Sequence, residues 1–174
     1  TNLGTLIATS MMDKVKADFA VMNSGGVRDS IADGKITYKD ILKVQPFGNT
    51  IVYADLTGQE VQSYMNAMST MTAGSGAFPQ FAGIQATFEN GTARDIQINH
   101  APLDLNKTYR IALNDFAAAG GDGYPKLKST ASYVNTGFND ADILKAYISK
   151  NSPIDASKFL PKGEIVRVPL QKKP

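Results

Sequence analysis

Apolar residues recur at intervals of three and four positions in several stretches of the chain. The first such stripe runs from Leu3 to Val15, and side chains at this spacing share one face of an α-helix. Thr37 followed by Asp40 is a capping-box pattern that predicts the start of another helix. The predicted helices span residues 3–18, 38–44, 59–71 and 141–150.

Short runs rich in apolar and β-branched residues, bounded by turn residues, predict strands between these helices. The predicted strands span residues 17–22, 50–56, 83–89, 94–99, 108–114 and 164–168. Asn90-Gly91 separates two of them and is a strong hairpin signal. Helices mixed with an antiparallel hairpin indicate an α+β fold class, a mixed sheet with packed helices. The length of 174 residues fits one domain, residues 1–174.

Composition narrows the possible partners and chemistry. Eighteen basic and sixteen acidic side chains give a net charge of +2, which is too balanced to indicate nucleic-acid or membrane-surface binding. The apolar runs are shorter than the ~20 residues of a membrane span. The absence of cysteine excludes thiolate catalysis and zinc–sulfur sites. No segment resembles a signal peptide. Because the chain begins at Thr1, we expect it to be a fragment or a processed product.

A single histidine limits catalysis further. His100 lies in Ile98-Asn99-His100-Ala101-Pro102, and we expect it to be exposed in a turn at a strand end. A Ser-His-Asp triad would have to use it, and the chain has no G-x-S-x-G elbow for it to serve. An autonomous hydrolase using His100 is therefore a minor alternative.

Three glycine-rich stretches interrupt the core pattern, and the first is Asn23-Ser24-Gly25-Gly26-Val27-Arg28-Asp29-Ser30. Two glycines after a buried strand allow the backbone to approach a ligand closely. Arg28 could direct its planar cationic group at a phosphate or carboxylate. The alternative is a tight turn in which Arg28 pairs with Asp29 or another acid.

The second stretch is Pro46-Phe47-Gly48-Asn49. It places a large apolar side chain, Phe47, at the apex of a loop. Asn49 beside it offers both hydrogen-bond donors and an acceptor. The pair could serve a ligand. The alternative is that Phe47 fills the edge of the core.

The third stretch, Asn114-Asp115-Phe116-Ala117-Ala118-Ala119-Gly120-Gly121-Asp122-Gly123-Tyr124, combines an aromatic residue with an acid among glycines. Phe116 could stack on a base, and Asp122 could accept hydrogen bonds from ribose hydroxyls. Gly-x-Asp-x-Gly also suggests calcium, but one carboxylate is too few for an EF-hand loop. Together the three stretches offer an arginine for an anion, aromatic rings for a base and a carboxylate for a sugar, which are the parts of a nucleotide pocket.

Five ordered segments of the chain resemble a known family. They are ADFAVMNSGGVRDSI, ITYKDILKVQPFGNTIVYADLTG, SGAFPQFAGI, TYRIALNDFAAAGGDGYPKL and YVNTGF. The resemblance is to the C-terminal, substrate-binding domain of bacterial periplasmic 5′-nucleotidase/UDP-sugar hydrolase, and more distantly to animal ecto-5′-nucleotidase. It extends from near Thr1 to about Leu160 and implies the 5′-nucleotidase C-terminal fold.

The resemblance implies a role in substrate recognition. Family members have an N-terminal metallophosphoesterase domain that holds two divalent metal ions, and a C-terminal domain that binds the nucleoside. Rotation between the domains carries the substrate to the metals. We therefore expect no cofactor in this chain, no activity when it is isolated, and a periplasmic or secreted location. The expected partners are nucleosides, nucleotides or nucleotide sugars, and the N-terminal catalytic domain.

The resemblance also carries binding roles to individual residues of the motifs. They are the base-sandwiching Phe47 and Phe116, the ribose-binding Asp122, the base-contacting Asn49 and Gly76, the phosphate-binding Arg28, and Asn23 near the phosphate. Bacterial members have further phosphate-binding arginines just upstream of the position of Thr1, which this chain lacks, so we expect weaker phosphate binding. The alternative function is a structural or interaction domain that does not bind nucleotide.

Overall fold

The computed structural model describes residues 1–169, which form five α-helices and nine strands. The helices are α1 (Asn2–Val15), α2 (Tyr38–Val44), α3 (Gly58–Ser69), α4 (Asp115–Ala118) and α5 (Asp140–Asn151). The strands are β1 (Phe19–Asn23), β2 (Thr50–Thr57), β3 (Pro79–Ala82), β4 (Ile84–Glu89), β5 (Thr92–Ile98), β6 (Ala101–Pro102), β7 (Thr108–Asn114), β8 (Val134–Asn139) and β9 (Ile165–Arg167).

Every predicted helix and strand forms, with small shifts at the ends. The predicted capping box at Thr37 and Asp40 is present, as is the hairpin at Asn90-Gly91 between β4 and β5. The prediction that the first helix reaches residue 18 was wrong, because Lys16 adopts a left-handed conformation that ends α1 at Val15. His100 is exposed in the turn after β5, as predicted.

Three strands and one helix were missed by the sequence analysis, namely β3, β6, β8 and α4. The strand β8 lies at the edge of its sheet, and most of its residues are exposed. An exposed edge strand needs no apolar alternation, so the pattern gives no signal for it. The helix α4 is a single turn, shorter than any window in which a helical period is detectable.

The strands form two sheets, which confirms the α+β class. The five-stranded sheet has the order β3-β1-β7-β2-β8, and the four-stranded sheet has the order β6-β5-β4-β9. In the larger sheet β1 runs parallel to β7, and the other neighbouring strands are antiparallel. Among residues 1–169, no helix combines the length and apolar character needed to cross a membrane.

Two apolar cores lie on opposite faces of the five-stranded sheet. Consecutive residues of β1 enter different cores, with Phe19 and Val21 in one and Ala20 and Met22 in the other, as the pleat of a strand requires. Helices α1, α2 and α5 cover one face. Helix α3 and the smaller sheet cover the other. The central strands are thus held on both sides, which leaves their ends as a rigid platform for loops.

Termini of all five strands lie side by side at one end of the five-stranded sheet, which we call the sheet edge below. Asn23 at the end of β1 is opposite Pro79 at the start of β3. Asn114 at the end of β7 is opposite Ile51 near the start of β2, and Thr50 is opposite Asn139 at the end of β8. This register brings all three glycine-rich stretches to the same edge.

Candidate functional site

Two exposed phenylalanines lie on loops at this edge. Phe47 is 58% exposed between α2 and β2, and Phe116 is 46% exposed in α4, directly after β7. The alternative that Phe47 fills the core edge is therefore wrong. Burying a large apolar side chain is favourable, and these two rings are left largely unburied. Both are therefore accessible to a ligand, which would gain the free energy of covering them.

One carboxylate oxygen ties the two aromatic segments together. Asp115 Oδ1 accepts hydrogen bonds from the backbone N–H of Thr50 (3.1 Å) and of Phe116 (3.0 Å). Thr50 begins β2 directly after the loop that carries Phe47. Asp115 therefore fixes the start of one segment against the other, a role that the sequence analysis did not assign.

The loop that carries Phe47 is held from two sides. Gly48 has a φ of +67°, a conformation that favours glycine. The carbonyl oxygen of Asn49 accepts a hydrogen bond from the backbone N–H of Asp140 (2.9 Å), and the Asn49 residue is half-buried. The guanidinium carbon of Arg28 lies 5.9 Å from the centre of the Phe47 ring, within range of a cation–π interaction.

Phe116 lies against the glycine-rich turn that carries Asp122. A Cβ atom added at Gly121 would come within 2.5 Å of the Phe116 ring, so only glycine allows this approach. Asp122 has a φ of 56°, between Gly120 at 98° and Gly123 at 80°. This turn presents the Asp122 residue at the surface.

A chain of three polar side chains connects Asp122 to the interior. Asn23 Nδ2 donates to Asp122 Oδ2 at 2.7 Å, and Asn114 Nδ2 donates to Asn23 Oδ1 at 2.9 Å. Asn114 Oδ1 accepts from the backbone N–H of Ala117 at 2.8 Å and so caps α4. Asn23 is 3% exposed and Asn114 is 1% exposed. The sequence analysis did not single out Asn114, although an asparagine between a strand and a helix is a typical N-cap.

Arg28 projects from the first glycine-rich stretch into solvent. Its Nη1 donates to the carbonyl oxygen of Gly25 at 3.3 Å, and its own N–H donates to the carbonyl of Val44 at 2.9 Å. Among the ion pairs of residues 1–169 none joins Arg28 to Asp29, so the predicted alternative pairing is not formed. The guanidinium therefore keeps most of its donors for a ligand.

Gly76 belongs to the loop before β3 and contacts the first stretch. Its carbonyl oxygen accepts a hydrogen bond from Gly25 N–H at 2.7 Å, and a Cβ at Gly25 would be 3.3 Å from Gly76 Cα. The two loops thus pack backbone against backbone. The structure places Gly76 at the same edge as the other predicted residues.

A buried carboxyl group lies beneath the loop of Phe47. Asp140 is 3% exposed, and burial together with the neighbouring Asp115 raises its pKa to about 6, while the N–H of Ala141 opposes the shift. Burial disfavours the charged form of a carboxyl group. Sequence reasoning could not identify this residue, because its burial results from packing at the sheet edge.

The structure also contains a cavity outside this group of residues. Its volume is about 780 Å³, and it is enclosed by α1, the segment after Asp29 and the region after α5. Its lining includes the apolar residues Leu3, Leu6, Ile31, Ile36 and Phe159. None of the predicted site residues line this cavity, so it is separate from the candidate site.

The described residues supply groups for binding and no metal centre. Within residues 1–169 no group of three or more His, Asp or Glu side chains could hold a metal ion. The metal pair that the resemblance implies for a preceding domain therefore has no ligand set in this part of the chain. The site offers aromatic faces, a carboxylate, carboxamides and one guanidinium, which can hold a ligand in a fixed orientation.

Comparisons with known proteins agree with the motifs. Residues 1–129 match the family described as 5′-nucleotidase, C-terminal domain. The chain is 57% identical to a 5′-nucleotidase of Vibrio vulnificus and 54% identical to Protein UshA of Escherichia coli, each over 95% of this chain and 30% of the relative. It thus spans about a third of the length of these curated relatives.

Solved structures show the same fold. A 5′-nucleotidase precursor from Thermus thermophilus superposes with a TM-score of 0.84 at 33% identity, covering 96% of this chain and 35% of that one. The NAD nucleotidase of Haemophilus influenzae gives a TM-score of 0.70 at 27% identity, over 86% and 29% of the two chains. The 5′-nucleotidase C-terminal fold expected from the motifs is confirmed, and the chain belongs to the 5′-nucleotidase C-terminal domain family.

Proposed function

We propose that residues 1–174 form one domain that recognises the nucleoside part of the substrate in a 5′-nucleotidase or UDP-sugar hydrolase. The observation that carries this proposal is the pairing of two exposed phenylalanines with an exposed carboxylate on glycine-shaped loops of one sheet edge. Aromatic faces suit a base, and a carboxylate suits the adjoining diol.

The base would lie between Phe47 and Phe116. Base–aromatic stacking is worth ~1–3 kcal/mol per base, and any base has a π-face. Selectivity would therefore come from Asn49, whose carboxamide can donate and accept, and from backbone groups near Gly76. Asp122 would accept hydrogen bonds from the ribose hydroxyls.

The phosphate would extend towards Arg28. Its guanidinium carbon lies 5.9 Å from the centre of the Phe47 ring, and the group can bind a phosphate oxygen pair. With one arginine in the described site, phosphate would add modestly to the affinity for the nucleoside. Asn23 is buried against Asp122, so we assign it to supporting the ribose anchor.

Hydrolysis of the phosphoester or pyrophosphate bond would take place in a preceding metal-binding domain with two divalent ions. This chain's share is to position the substrate there. We extend the proposal to a periplasmic or secreted location, and to nucleotides or nucleotide sugars as substrates. The names of the similar proteins, 5′-nucleotidase and NAD nucleotidase, support this substrate class.

The test is a calorimetric titration with adenosine. We expect a Kd on the order of 0.01–1 mM, because a few kcal/mol of stacking must offset the cost of association. Phe47→Ala should weaken binding at least about tenfold. Phe138→Ala is the matched control, since Phe138 is 49% exposed and its ring contacts Lys14.

Two outcomes would overturn the proposal. The first is a folded chain that does not bind adenosine at millimolar concentration, which would favour the alternative of an interaction domain. The second is equal weakening by Phe47→Ala and Phe138→Ala, which would show that the exposed rings attract adenosine without a defined site.

A further inference from the structure

We infer that Asn114 and Asn23 are positioning residues that fix the orientation of the Asp122 carboxylate. They form a hydrogen-bonded chain from the first turn of α4 to the Asp122 carboxylate. This inference rests on the proposed function, because it concerns how the ribose anchor is held. It adds Asn114 to the site as a second support behind Asn23, and neither residue touches the ligand in the proposed complex.

The direction of every hydrogen bond follows from the first one. The backbone N–H of Ala117 can only donate, so Asn114 must present Oδ1 to it, at 2.8 Å. The Nδ2 group of Asn114 then faces the other way, towards Asn23 Oδ1 at 2.9 Å. Asn114 is 1% exposed, so solvent cannot replace either partner without a cost of about 1–3 kcal/mol.

The same logic carries through Asn23 to the surface. Because its Oδ1 accepts from Asn114, its Nδ2 must donate, and it donates to Asp122 Oδ2 at 2.7 Å. Asp122 is thereby required to accept on Oδ2, which fixes the orientation of its carboxylate. Within residues 1–169 no hydrogen bond engages Oδ1, and this oxygen is free to accept from a diol.

The backbone of the turn explains why such support is needed. Asp122 has a φ of 56° and a ψ of 16°, a region that aspartate tolerates better than most residues but that still costs free energy. Asp122 lies between Gly120 and Gly123, which both have positive φ. The hydrogen bond from Asn23 therefore helps to keep Asp122 in a backbone conformation that is unfavourable by itself.

A substitution that reverses the direction of the hydrogen bonds between these side chains tests the inference. Asn114→Asp keeps an acceptor for Ala117 N–H but places a second acceptor against Asn23 Oδ1. Asn23 must then flip, and its Oδ1 repels Asp122 Oδ2. Asn139→Asp is the matched control, because Asn139 also caps a helix through Oδ1, accepting from Ala141 N–H at 3.0 Å, at the same sheet edge.

The measurement is the ratio of Kd values for 2′,3′-dideoxyadenosine and adenosine. In the unaltered chain we expect the diol to strengthen binding about tenfold, as hydrogen bonds to a charged group do. Asn114→Asp should bring this ratio close to one while leaving the Kd for dideoxyadenosine unchanged. Asn139→Asp should leave the ratio intact. A general loss of stability would instead raise the Kd values of both ligands and leave their ratio unchanged.

A double variant gives the sharper readout. In Asn114→Asp combined with Asp122→Asn, both bonds between side chains can reverse, with Asn23 donating to position 114 and position 122 donating to Asn23 while still presenting an oxygen outward. We expect the double variant to bind adenosine more tightly than Asn114→Asp alone. Independent sites would give additive losses instead, and additive losses would overturn the inference.

A second single variant leaves the helix cap untouched. Asn23→Asp still accepts from Asn114 Nδ2 but places a carboxylate against Asp122, so the ratio should again fall to about one. This variant decides the question if Asn114→Asp fails to fold. A folded variant that keeps the ratio of the unaltered chain would refute the positioning role. Absence of adenosine binding by the unaltered chain would instead refute the proposed function.

Discussion

Replacement of Gly121 by alanine should weaken nucleoside binding while leaving the fold intact. The three atoms closest to the added Cβ all belong to the Phe116 ring, at 2.5, 2.5 and 2.6 Å, so the ring must move. Phe116 is 46% exposed, and its ring can swing into solvent. Gly121, unlike Gly120 and Gly123, has no positive φ, so alanine introduces no backbone strain.

The size of the effect follows from the lost stacking surface. One base–aromatic contact is worth ~1–3 kcal/mol, which corresponds to a loss of affinity of about 5- to 150-fold. The free energy of unfolding should change by no more than about 0.5 kcal/mol, as for most surface substitutions. Adenosine calorimetry and urea unfolding measure the two quantities on the same variant.

A double-mutant cycle shows whether the ring mediates the effect. If Gly121→Ala acts by displacing Phe116, then adding it to Phe116→Ala should cost no further affinity. Losses that multiply in the double variant would refute this reasoning. So would a Gly121→Ala variant that binds adenosine as tightly as the unaltered chain.

Three further predictions concern charge, pH and packing. Arg28→Ala should remove most of any preference for AMP over adenosine, measured as a ratio of Kd values; a retained preference would assign the phosphate to another group. Asp140→Asn should remove a pH-dependent part of the stability measured by urea unfolding. The Asp140 pKa of about 6 exceeds its ordinary value of 3.8, so this contribution to the free energy of unfolding is complete below about pH 4 and is lost as the pH rises through about 6. It amounts to at most about 3 kcal/mol. An equal pH profile of stability in both proteins would contradict this prediction. Gly58→Ala should lower the free energy of unfolding by about 1–3 kcal/mol, because the added Cβ would clash with the backbone carbonyl of Asp104, which cannot rotate away. An unchanged urea midpoint would show that the backbone adjusts and would contradict this prediction.

The parts of the fold that depend on local pattern were predictable. The stripe of α1, the capping box of α2 and the hairpin at Asn90-Gly91 each lie within one short segment. The Phe47 loop was identifiable as a candidate, because a large apolar side chain stands at a loop apex, but its exposure was decided only by the structure. The edge strand β8 was not, since its exposed residues carry no alternation.

The contacts that support the site could not be predicted from the sequence, because they depend on the register of the strands. Asp115 contacts Thr50 only because β2 pairs with β7. Asn23 and Asp122 are 99 positions apart in sequence and meet only at the sheet edge. Asn23 and Asp122 were each singled out from their own motif, but the sequence gives no sign that the two side chains bond to each other. Their roles require knowing which strand ends lie side by side.

The central claim is that this sheet edge binds a nucleoside, and amide chemical shifts of the isotope-labelled chain test it most directly. Titration with adenosine should give saturable shifts centred on residues 47–49, 76 and 116–123, with resonances of the separate cavity around Ile31 and Phe159 unmoved. A folded spectrum without shifts at millimolar adenosine, or with shifts centred on that cavity, would contradict the account.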